Sequence, residues 1–408
     1  MEKYKGGESM ATSIGIITIL GLLANSIFLK LKLPGLLGML IVGVIIGPFG
    51  LNWLTQDLLN VSGDFRKIAL IIILLRAGLG ISRNDLNKVG STAIKLSCIP
   101  GIFEGFTIAV ASMLLLHFSF IEGGMLGFII AAVSPAVVVP QMLYYQEKGI
   151  GTNKGIPTLI LASASIDDVF AITIFTAFLG LYSGNHINFG VQLLNIPISI
   201  VLGIGVGIVA GLLLVRIFTK FHMRDTKKVL YILGIAILLT GIENALKSKI
   251  EIAGLLGVMT IGFIILERMP GTAKRLSIKL DKIWLFAEIL LFVLVAAQVN
   301  ISVAFNAGGK GVIIITIGLL ARSIGVWIST IGTKLNNKER LFCIISYIPK
   351  ATVQAAIGAI PLSLGVQSGE TMLAIAVLSI LLTAPLGAIG IKVSAKKLLT
   401  VQTQNNKC

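Results

Sequence analysis

The sequence predicts an all-α polytopic membrane protein with about thirteen transmembrane helices. Of the 408 residues, 55% are hydrophobic and only 13% are charged, and the mean hydropathy is +0.96. This composition is too apolar for a soluble domain of such length. The apolar residues also fall into stretches of about 20, the length that a helix needs to cross a bilayer. The polar segments between them are short, so no soluble domain is expected.

Each apolar stretch bounded by polar residues is predicted to be one span. In chain order, the spans lie near 12–29, 35–53, 67–82, 91–116, 123–145, 156–182, 190–219, 228–246, 251–267, 282–299, 311–332, 341–363 and 370–394.

The basic residues predict the orientation of these spans. A net charge of +16 is compatible with nucleic-acid binding, but the lysines and arginines are scattered over short joints and form no single stripe. One set of alternate joints, together with the C-terminal tail, holds most of them, among them Arg83, Lys148 and Arg224, whereas the other set holds few. By the positive-inside rule, the N-terminus is expected outside and the C-terminus in the cytoplasm. We therefore expect a multi-pass protein of the cell membrane.

Prolines predict that two of the spans are interrupted. Ser134, Pro135 and Pro140 lie within the fifth span, and Pro349 lies within the twelfth. Proline removes a backbone donor and disrupts a helix interior, although membrane helices tolerate simple proline kinks. Interrupted spans at matching positions of two halves indicate a transporter built from inverted repeats, with its site between the half-helices.

Three charged residues in otherwise apolar stretches are candidates for the core of such a site. Placing Pro135 and Pro349 in the same register brings Glu104, in the fourth span, near Arg322, in the eleventh. An unpaired charge at the bilayer centre costs at least about 2.5–3.5 kcal/mol, so the two are expected to pair. We favour a structural role for this pair over direct ion contact. Lys350 follows Pro349 and is expected to compensate the partial negative charge of a half-helix C-terminus, the alternative being that it snorkels to the membrane edge.

Two adjacent acids carry the main functional hypothesis. Asp167 and Asp168, in "SASIDDVFAIT", are the only charges in the apolar run 156–182. Adjacent helical residues point about 100° apart, so one carboxylate can line a cavity while the other contacts a partner helix. Keeping two adjacent carboxylates ionised away from bulk water costs free energy. The pair can therefore exchange a proton for a cation such as Na⁺. The hydroxyls of Ser163 and Ser134 are further candidate ligands, although a serine in a membrane helix often serves packing alone.

The sequence argues against an enzyme. An intramembrane aspartyl protease needs its two acids on separate helices in a Gly-x-Gly-Asp setting, which the sequence lacks. A "DDxxD" magnesium site fails as well, because Val169, Phe170 and Ala171 follow Asp168. Cys98 and Cys343 have no metal-ligand spacing, and no cofactor is expected.

Four segments resemble a known family. "SIDDVFAIT", "AAVSPAVVVPQML", "LLRAGLGIS" and above all "YIPKATVQAAIGAIPL" resemble the cation:proton antiporter superfamily, specifically the NHA-type sodium/proton exchangers. The resemblance covers nearly the whole chain. It implies the sodium/proton antiporter fold, with two crossed interrupted helices and a homodimeric assembly. It also implies exchange of a monovalent cation for protons, and a role in pH homeostasis.

The resemblance implies a division of the single transmembrane domain into moving and fixed parts. The scaffold and dimer part would comprise about 10–85 and 228–300, and the ion-transport core about 90–183 and 311–395. A linker helix would lie near 190–220. The core would move relative to the scaffold like an elevator.

By matching motifs, Asp168 resembles the main carboxylate for cation and proton, Asp167 its neighbour, and Arg322 the basic residue of the eleventh span. Many relatives carry an acid at the fifth-span break, where this chain has Ser134 and Pro135. Electrogenic relatives have lysine at the position of Arg322. Arginine does not release its proton in proteins, which favours electroneutral exchange.

A sodium-coupled organic-solute symporter of related fold is the alternative function. The expected partners are monovalent cations (Na⁺, Li⁺ or K⁺), protons, the lipid bilayer and a second copy of the chain.

Overall fold

The helices follow the predicted spans in order. The computed structural model describes residues 9–31, 35–81, 83–182, 189–246, 252–298 and 301–400. Within these ranges the regular structure is helical. The first part of the chain contains α1 (Met10–Lys30), α2 (Gly35–Ile46), α3 (Gln56–Asn60) and α4 (Ser62–Gly78). It is followed by α5 (Arg83–Leu116), α6 (Phe120–Ile130), α7 (Pro135–Glu147), a 3₁₀ turn (Thr152–Lys154), α8 (Ile156–Tyr182) and α9 (Phe189–Lys220).

The second part of the chain also contains one interrupted helix. It contains α10 (Asp225–Leu246), α11 (Gly254–Arg268), α12 (Pro270–Ala297), α13 (Ile301–Ser329), α14 (Asn337–Ser346), α15 (Thr352–Ile357), α16 (Ile360–Ser363) and α17 (Gly369–Leu398). Every predicted span overlaps one helix, except at the two interruptions: span 123–145 overlaps α6 and α7, and span 341–363 overlaps α14, α15 and α16. In the described part, six single helices and the interrupted segment formed by α6 and α7 are long and apolar enough to cross a membrane by length and composition. The total of thirteen spans stays a prediction.

Both interrupted helices begin with the same capping arrangement. The Ser119 hydroxyl accepts a hydrogen bond from the Glu122 amide at 3.2 Å, and the Glu122 carboxylate accepts one from the Ser119 amide at 2.9 Å. Asn336 and Glu339 form the equivalent pair at the start of α14, at 2.9 and 2.7 Å. Each capping box satisfies two donors that a helix start otherwise leaves free. The two half-helices α6 and α14 are therefore initiated by equivalent sequence signals.

The two interruptions lie where the sequence predicts them, with one correction. The first occupies residues 131–134, between α6 and α7, and the second occupies residues 347–351, between α14 and α15. Pro135 is the first residue of α7 and Pro349 lies inside the second gap. Pro140, which we expected to contribute to a break, lies inside α7, and the helix continues through it. A single proline removes one backbone hydrogen bond, which a packed membrane helix tolerates.

Two groups of helices account for most of the packing. α5 packs against α6, α8 and α13, and α13 also packs against α17. α12 packs against α2 and α4, while α11 packs against α4 and α9. The α5–α13 crossing is close, because a Cβ atom added at Gly325 would lie 2.6 Å from the Cα of Pro100. Only glycine permits the two backbones to approach this closely.

The interrupted helices meet each other at their gaps. The amide of Ser134 donates a hydrogen bond to the carbonyl of Pro349 at 2.8 Å. α5 and α8 flank the first interrupted helix, and α13 and α17 flank the second. The second set of elements lies seven predicted spans after the first, so the two sets run in opposite directions through the membrane. This is the arrangement of an inverted repeat.

Candidate functional site

Five ionisable side chains are buried where the two gaps cross. Glu104 comes from α5, Asp167 and Asp168 from α8, Arg322 from α13, and Lys350 from the second gap. None of them is more than 8% exposed. Buried charges are stable only when they are paired or otherwise compensated, so their partners decide what each group can do.

Arg322 joins three elements at the first gap. Its Nη1 lies 2.7 Å from Glu104 Oε2, and its Nη2 lies 3.0 Å from Asp167 Oδ2. Nη1 also donates to the carbonyl of Ala131, the C-cap residue of α6. The guanidinium carbon lies 5.1 Å from the centre of the Tyr347 ring, within cation–π distance. Arg322 thus pairs with the acid that the sequence predicted and, in addition, with Asp167.

Lys350 shares the same acid. Its Nζ lies 2.6 Å from Glu104 Oε2, and its backbone amide donates to Thr383 Oγ1 at 2.9 Å. The side chain is fully buried, so it does not extend to the membrane edge. One carboxylate oxygen of Glu104 therefore accepts from both basic side chains, while Glu104 Oε1 has no hydrogen-bond partner within the described ranges.

The two adjacent aspartates have different surroundings. Asp167 Oδ2 accepts a hydrogen bond from the Val133 amide at 2.7 Å, in addition to its contacts with Arg322. Asp168 makes no ion pair with any described residue, and its buried Oδ1 lacks a hydrogen-bond partner there. The helical geometry separates the two carboxylates, as the 100° rotation between neighbours requires. Asp168 is therefore the acid whose charge is not matched by a contacting base.

Gln354, a residue that the sequence analysis did not single out, caps the end of α6. Its Nε2 donates to the carbonyls of Ile129 at 3.1 Å, Ile130 at 3.1 Å and Ala132 at 2.9 Å. The C-terminal carbonyls of a helix lack partners within it and carry partial negative charge. Gln354 and Arg322 together satisfy this end, while Asp167 accepts from Val133 on the α7 side. The first gap is therefore compensated without an acidic residue at position 134.

The two candidate serines differ in their availability. The Ser163 hydroxyl donates to Leu159 O at 2.6 Å and accepts from the Tyr347 hydroxyl. The Ser134 hydroxyl is buried and has no partner among the described residues. Ser134 is thus the serine with an oxygen free to act as a ligand. Tyr347 and Thr383 were missed at the sequence level, because an uncharged side chain in an apolar run gives no signal.

Several buried oxygens around the gaps lack hydrogen-bond partners. In the described part of the chain they include Glu104 Oε1, Ser134 Oγ, Asp168 Oδ1, Thr352 Oγ1 and Gln354 Oε1. Hard cations prefer oxygen ligands, so this set of atoms suits a hard monovalent cation. Over the same ranges no three His, Cys, Asp or Glu side chains are grouped as a metal centre.

The ionised groups of the site leave one charge unmatched. Three carboxylates (Glu104, Asp167 and Asp168) face two basic groups (Arg322 and Lys350). One proton or one monovalent cation at the site therefore makes its total charge zero. Glu104 and Asp167 are already engaged by the bases, so Asp168 is the carboxylate whose charge is unmatched.

Comparisons with known proteins point to one family. A family model described as "Sodium/hydrogen exchanger, transmembrane" matches residues 15–397. Human sodium/hydrogen exchanger 9B2 is 35% identical over 396 residues, which cover 92% of this chain and 71% of the relative. Human sodium/hydrogen exchanger 9B1 is 32% identical over 381 residues, which cover 90% of this chain and 73% of the relative.

A solved structure has the same fold. The sodium proton antiporter MjNhaP1 from Methanocaldococcus jannaschii, at pH 8, superposes with a TM-score of 0.78. The match covers 94% of this chain and 97% of that chain, at 23% sequence identity. The likeness therefore extends over nearly the whole chain.

Proposed function

The chain belongs to the sodium/hydrogen exchanger family, and on this premise we propose that it exchanges Na⁺ for protons through the carboxylate of Asp168. A single observation carries the assignment of the residue. Asp168 is buried beside the crossing of the two interrupted helices, and it is the acid there without a contacting base. A carboxylate in this position binds either a proton or a cation, and the two ions compete for it.

The surrounding groups have distinct roles in this proposal. Arg322 and Lys350 contact Glu104 and Asp167, so these two acids do not take up the exchanged proton. The free hydroxyl of Ser134 supplies a further oxygen ligand, and Ser163 with Asp167 completes the set of candidate ligands for Na⁺. Li⁺ and K⁺ are candidate alternative cargoes, since the same hard oxygen ligands suit them.

The proposed movement is that of an elevator. All five ionisable groups belong to the predicted core, about 90–183 and 311–395, so core and bound ion would move together. The scaffold, about 10–85 and 228–300, would hold the second copy of a homodimer, and the helix near 190–220 would link the two parts. Support comes from the packing, because α5, α8, α13 and α17 surround the gaps while α2, α4 and α12 pack together elsewhere.

The proposed orientation has the N-terminus outside and the C-terminus in the cytoplasm, and the proposed location is the cell membrane. It rests on the distribution of basic residues. Labelling of Cys408 by an impermeant maleimide in intact cells would contradict this orientation. Cys408 lies outside the described residues.

The experiment that tests the function uses purified protein in sealed liposomes containing a trapped pH dye. Addition of NaCl should move protons through the wild-type protein. Asp168→Asn removes the charge for which both ions compete, so its rate should fall to that of protein-free liposomes. Asp57→Asn, the same change at an exposed position of α3, is the matched control and should retain the wild-type rate.

Two results would contradict the proposal. A wild-type rate for Asp168→Asn, with both variants folded and incorporated equally, would remove Asp168 from the mechanism. Proton movement that requires an added organic solute would instead favour a sodium-coupled symporter.

A further inference from the structure

The helix that carries the two aspartates, α8, has two different polar faces. Ser163 lies four residues before Asp167, so these side chains point only about 40° apart around the helix axis. Ser165 lies three residues before Asp168, and these side chains point about 60° apart. Ser165 and Asp167 are about 160° apart, on opposite sides of α8. The serine that shares a face with Asp168 is therefore Ser165, whereas Ser163 shares a face with Asp167.

The hydroxyls of the two serines differ in the hydrogen bonds they make. Ser163 Oγ accepts a hydrogen bond from the Tyr347 hydroxyl. Ser165 Oγ lies 3.2 Å from Leu161 O and 3.4 Å from Met259 Sδ, and both contacts use its single hydrogen. No described residue donates a hydrogen bond to Ser165 Oγ. The lone pairs of this oxygen are therefore available to a cation.

The face of α8 that carries Ser165 and Asp168 is the less enclosed of the two. Ser165 is 6% exposed and Asp168 is 8% exposed, whereas Ser163 is 0% and Asp167 is 1% exposed. Asp167 turns toward the first gap, where its carboxylate accepts a hydrogen bond from the Val133 amide. An ion that exchanges with water must reach its ligands from an aqueous pathway, so the face that retains some exposure is the one suited to exchange.

The same face of α8 meets the scaffold. Met259 belongs to α11, in the predicted scaffold, whereas Ser165 belongs to α8, in the predicted core. The contact between them therefore crosses the boundary along which the core would move. A thioether is only a weak hydrogen-bond acceptor, so little is lost when the core moves or when an ion binds to the hydroxyl oxygen.

Asp168 needs such a neighbour to hold a cation. Hard cations bind several oxygen ligands at once, and a single carboxylate does not complete such a set. Ser165 supplies an oxygen from a position about 4.5 Å along the same helix axis. This oxygen is neutral, so it adds a ligand and leaves the charge balance of the site unchanged.

We propose that Ser165 Oγ is a ligand of the Na⁺ held by Asp168, on the face of α8 that is turned toward α11. This inference rests on the proposed exchange through Asp168 and adds to it a residue that serves the cation alone. A proton on Asp168 is held by a covalent O–H bond and does not need the serine oxygen. Ser165 therefore favours Na⁺ over the proton at the carboxylate for which the two ions compete.

The test compares Ser165→Ala with the wild type, by exchange in sealed liposomes with a trapped pH dye and by equilibrium binding of radioactive Na⁺ to the purified protein. Loss of one contact to a charged group should weaken Na⁺ binding and raise the KM for Na⁺ by at least about tenfold. The value of kcat should change much less, because saturating Na⁺ still loads Asp168.

A second variant separates cation binding from packing. Ser165→Cys keeps the size of the side chain and its hydrogen, but it replaces a hard oxygen by a soft sulfur, which is a poor ligand for Na⁺. It should therefore resemble Ser165→Ala in its KM for Na⁺. A cysteine variant that binds Na⁺ like the wild type would assign Ser165 to packing against Met259 and overturn the proposal.

The matched control is Ser394→Ala. Ser394 is 7% exposed and donates to Ile391 O within α17, at 3.3 Å, so its loss should leave the KM for Na⁺ unchanged. Unchanged Na⁺ binding and KM in Ser165→Ala, together with loss of exchange in Asp168→Asn, would overturn the ligand assignment and leave the proposed exchange intact. Exchange at the wild-type rate in Asp168→Asn would overturn both.

Discussion

At the scale of single residues, Glu104 is the group on which the charges of the site depend. One of its oxygens contacts Arg322 at 2.7 Å and Lys350 at 2.6 Å. It comes from α5, whereas its partners come from α13 and from the second gap, so it links both repeats through charge. Breaking a buried ion pair by removing one partner is costly because the remaining charge stays buried without compensation.

Glu104→Gln should therefore destabilise the protein by about 3–5 kcal/mol, the cost typical of breaking a buried pair. The measurement is denaturant unfolding in detergent. Adding Lys350→Met to Glu104→Gln removes one uncompensated charge and should recover part of the loss, while Glu370→Gln, at an exposed position of α17, should have little effect. A double variant less stable than Glu104→Gln would show that the charges are not coupled in this way.

At the scale of secondary-structure elements, the end of α6 depends on a side chain from α15. The Gln354 amide donates to the carbonyls of the last two residues of α6 and to that of Ala132, in the gap. These carbonyls are buried, so no water replaces a lost donor. Through these hydrogen bonds, the C-terminal end of α6 is held against the first turn of α15, so the two interrupted helices are joined at their gaps.

Gln354→Leu introduces an apolar side chain of similar size and removes the amide donor. It should lower stability by about 1–3 kcal/mol, the cost of leaving a buried acceptor unsatisfied, and should slow exchange because the partial negative charge near Asp167 is no longer compensated. Gln141→Leu is the control, since Gln141 donates only to Val137 O within its own helix, at 3.3 Å. If Gln354→Leu and Gln141→Leu lowered the free energy of unfolding equally, a capping role of Gln354 would be excluded.

The elements also show which features of this fold can be predicted from sequence. Apolar stretches predicted every long helix, but they located only the apolar part of α5 and α12, whose polar first turns begin at Arg83 and Pro270. The short helices α3 and α16 fall below the length at which hydropathy gives a signal. Prolines located both gaps, whereas Pro140 shows that a proline alone does not end a packed helix.

The charged residues of the candidate site could be predicted from the sequence, whereas its uncharged residues could not. Glu104, Arg322, Lys350 and the two aspartates are charges in apolar runs, so each was identified from the sequence. Their pairing is only partly determined by spacing, because a 100° rotation leaves open which of Asp167 and Asp168 contacts a base. Gln354 carries no charge, so its role becomes apparent only from its contacts.

At the scale of the whole molecule, the site has one negative charge in excess when all its acids and bases are ionised. One Na⁺ or one proton neutralises it, so the loaded core would carry the same charge in both directions of transport. Arg322 does not supply a second proton, because a guanidinium stays protonated in proteins. Lys350 is engaged by Glu104, since its Nζ lies 2.6 Å from Glu104 Oε2.

Exchange is therefore expected to be electroneutral. In sealed liposomes, a potential imposed with K⁺ and valinomycin should change the Na⁺-driven proton flux by less than about twofold. If one net charge moved per cycle, 100 mV would be worth about 2.3 kcal/mol, up to roughly fiftyfold in rate. A steep voltage response would contradict electroneutrality and direct attention to Lys350 as a second proton carrier, with Arg322→Lys as the next variant to measure.

The contact between the two gaps has a consequence for how the sequence can diverge. The hydrogen bond from Ser134 to Pro349 uses only main-chain atoms, and every residue except proline supplies the same amide. Descendants of this sequence can therefore replace Ser134 by other small residues without losing the crossing. The charges of Asp167 and Arg322 have no such freedom, because each compensates the other, and loss of one would leave its partner buried without compensation.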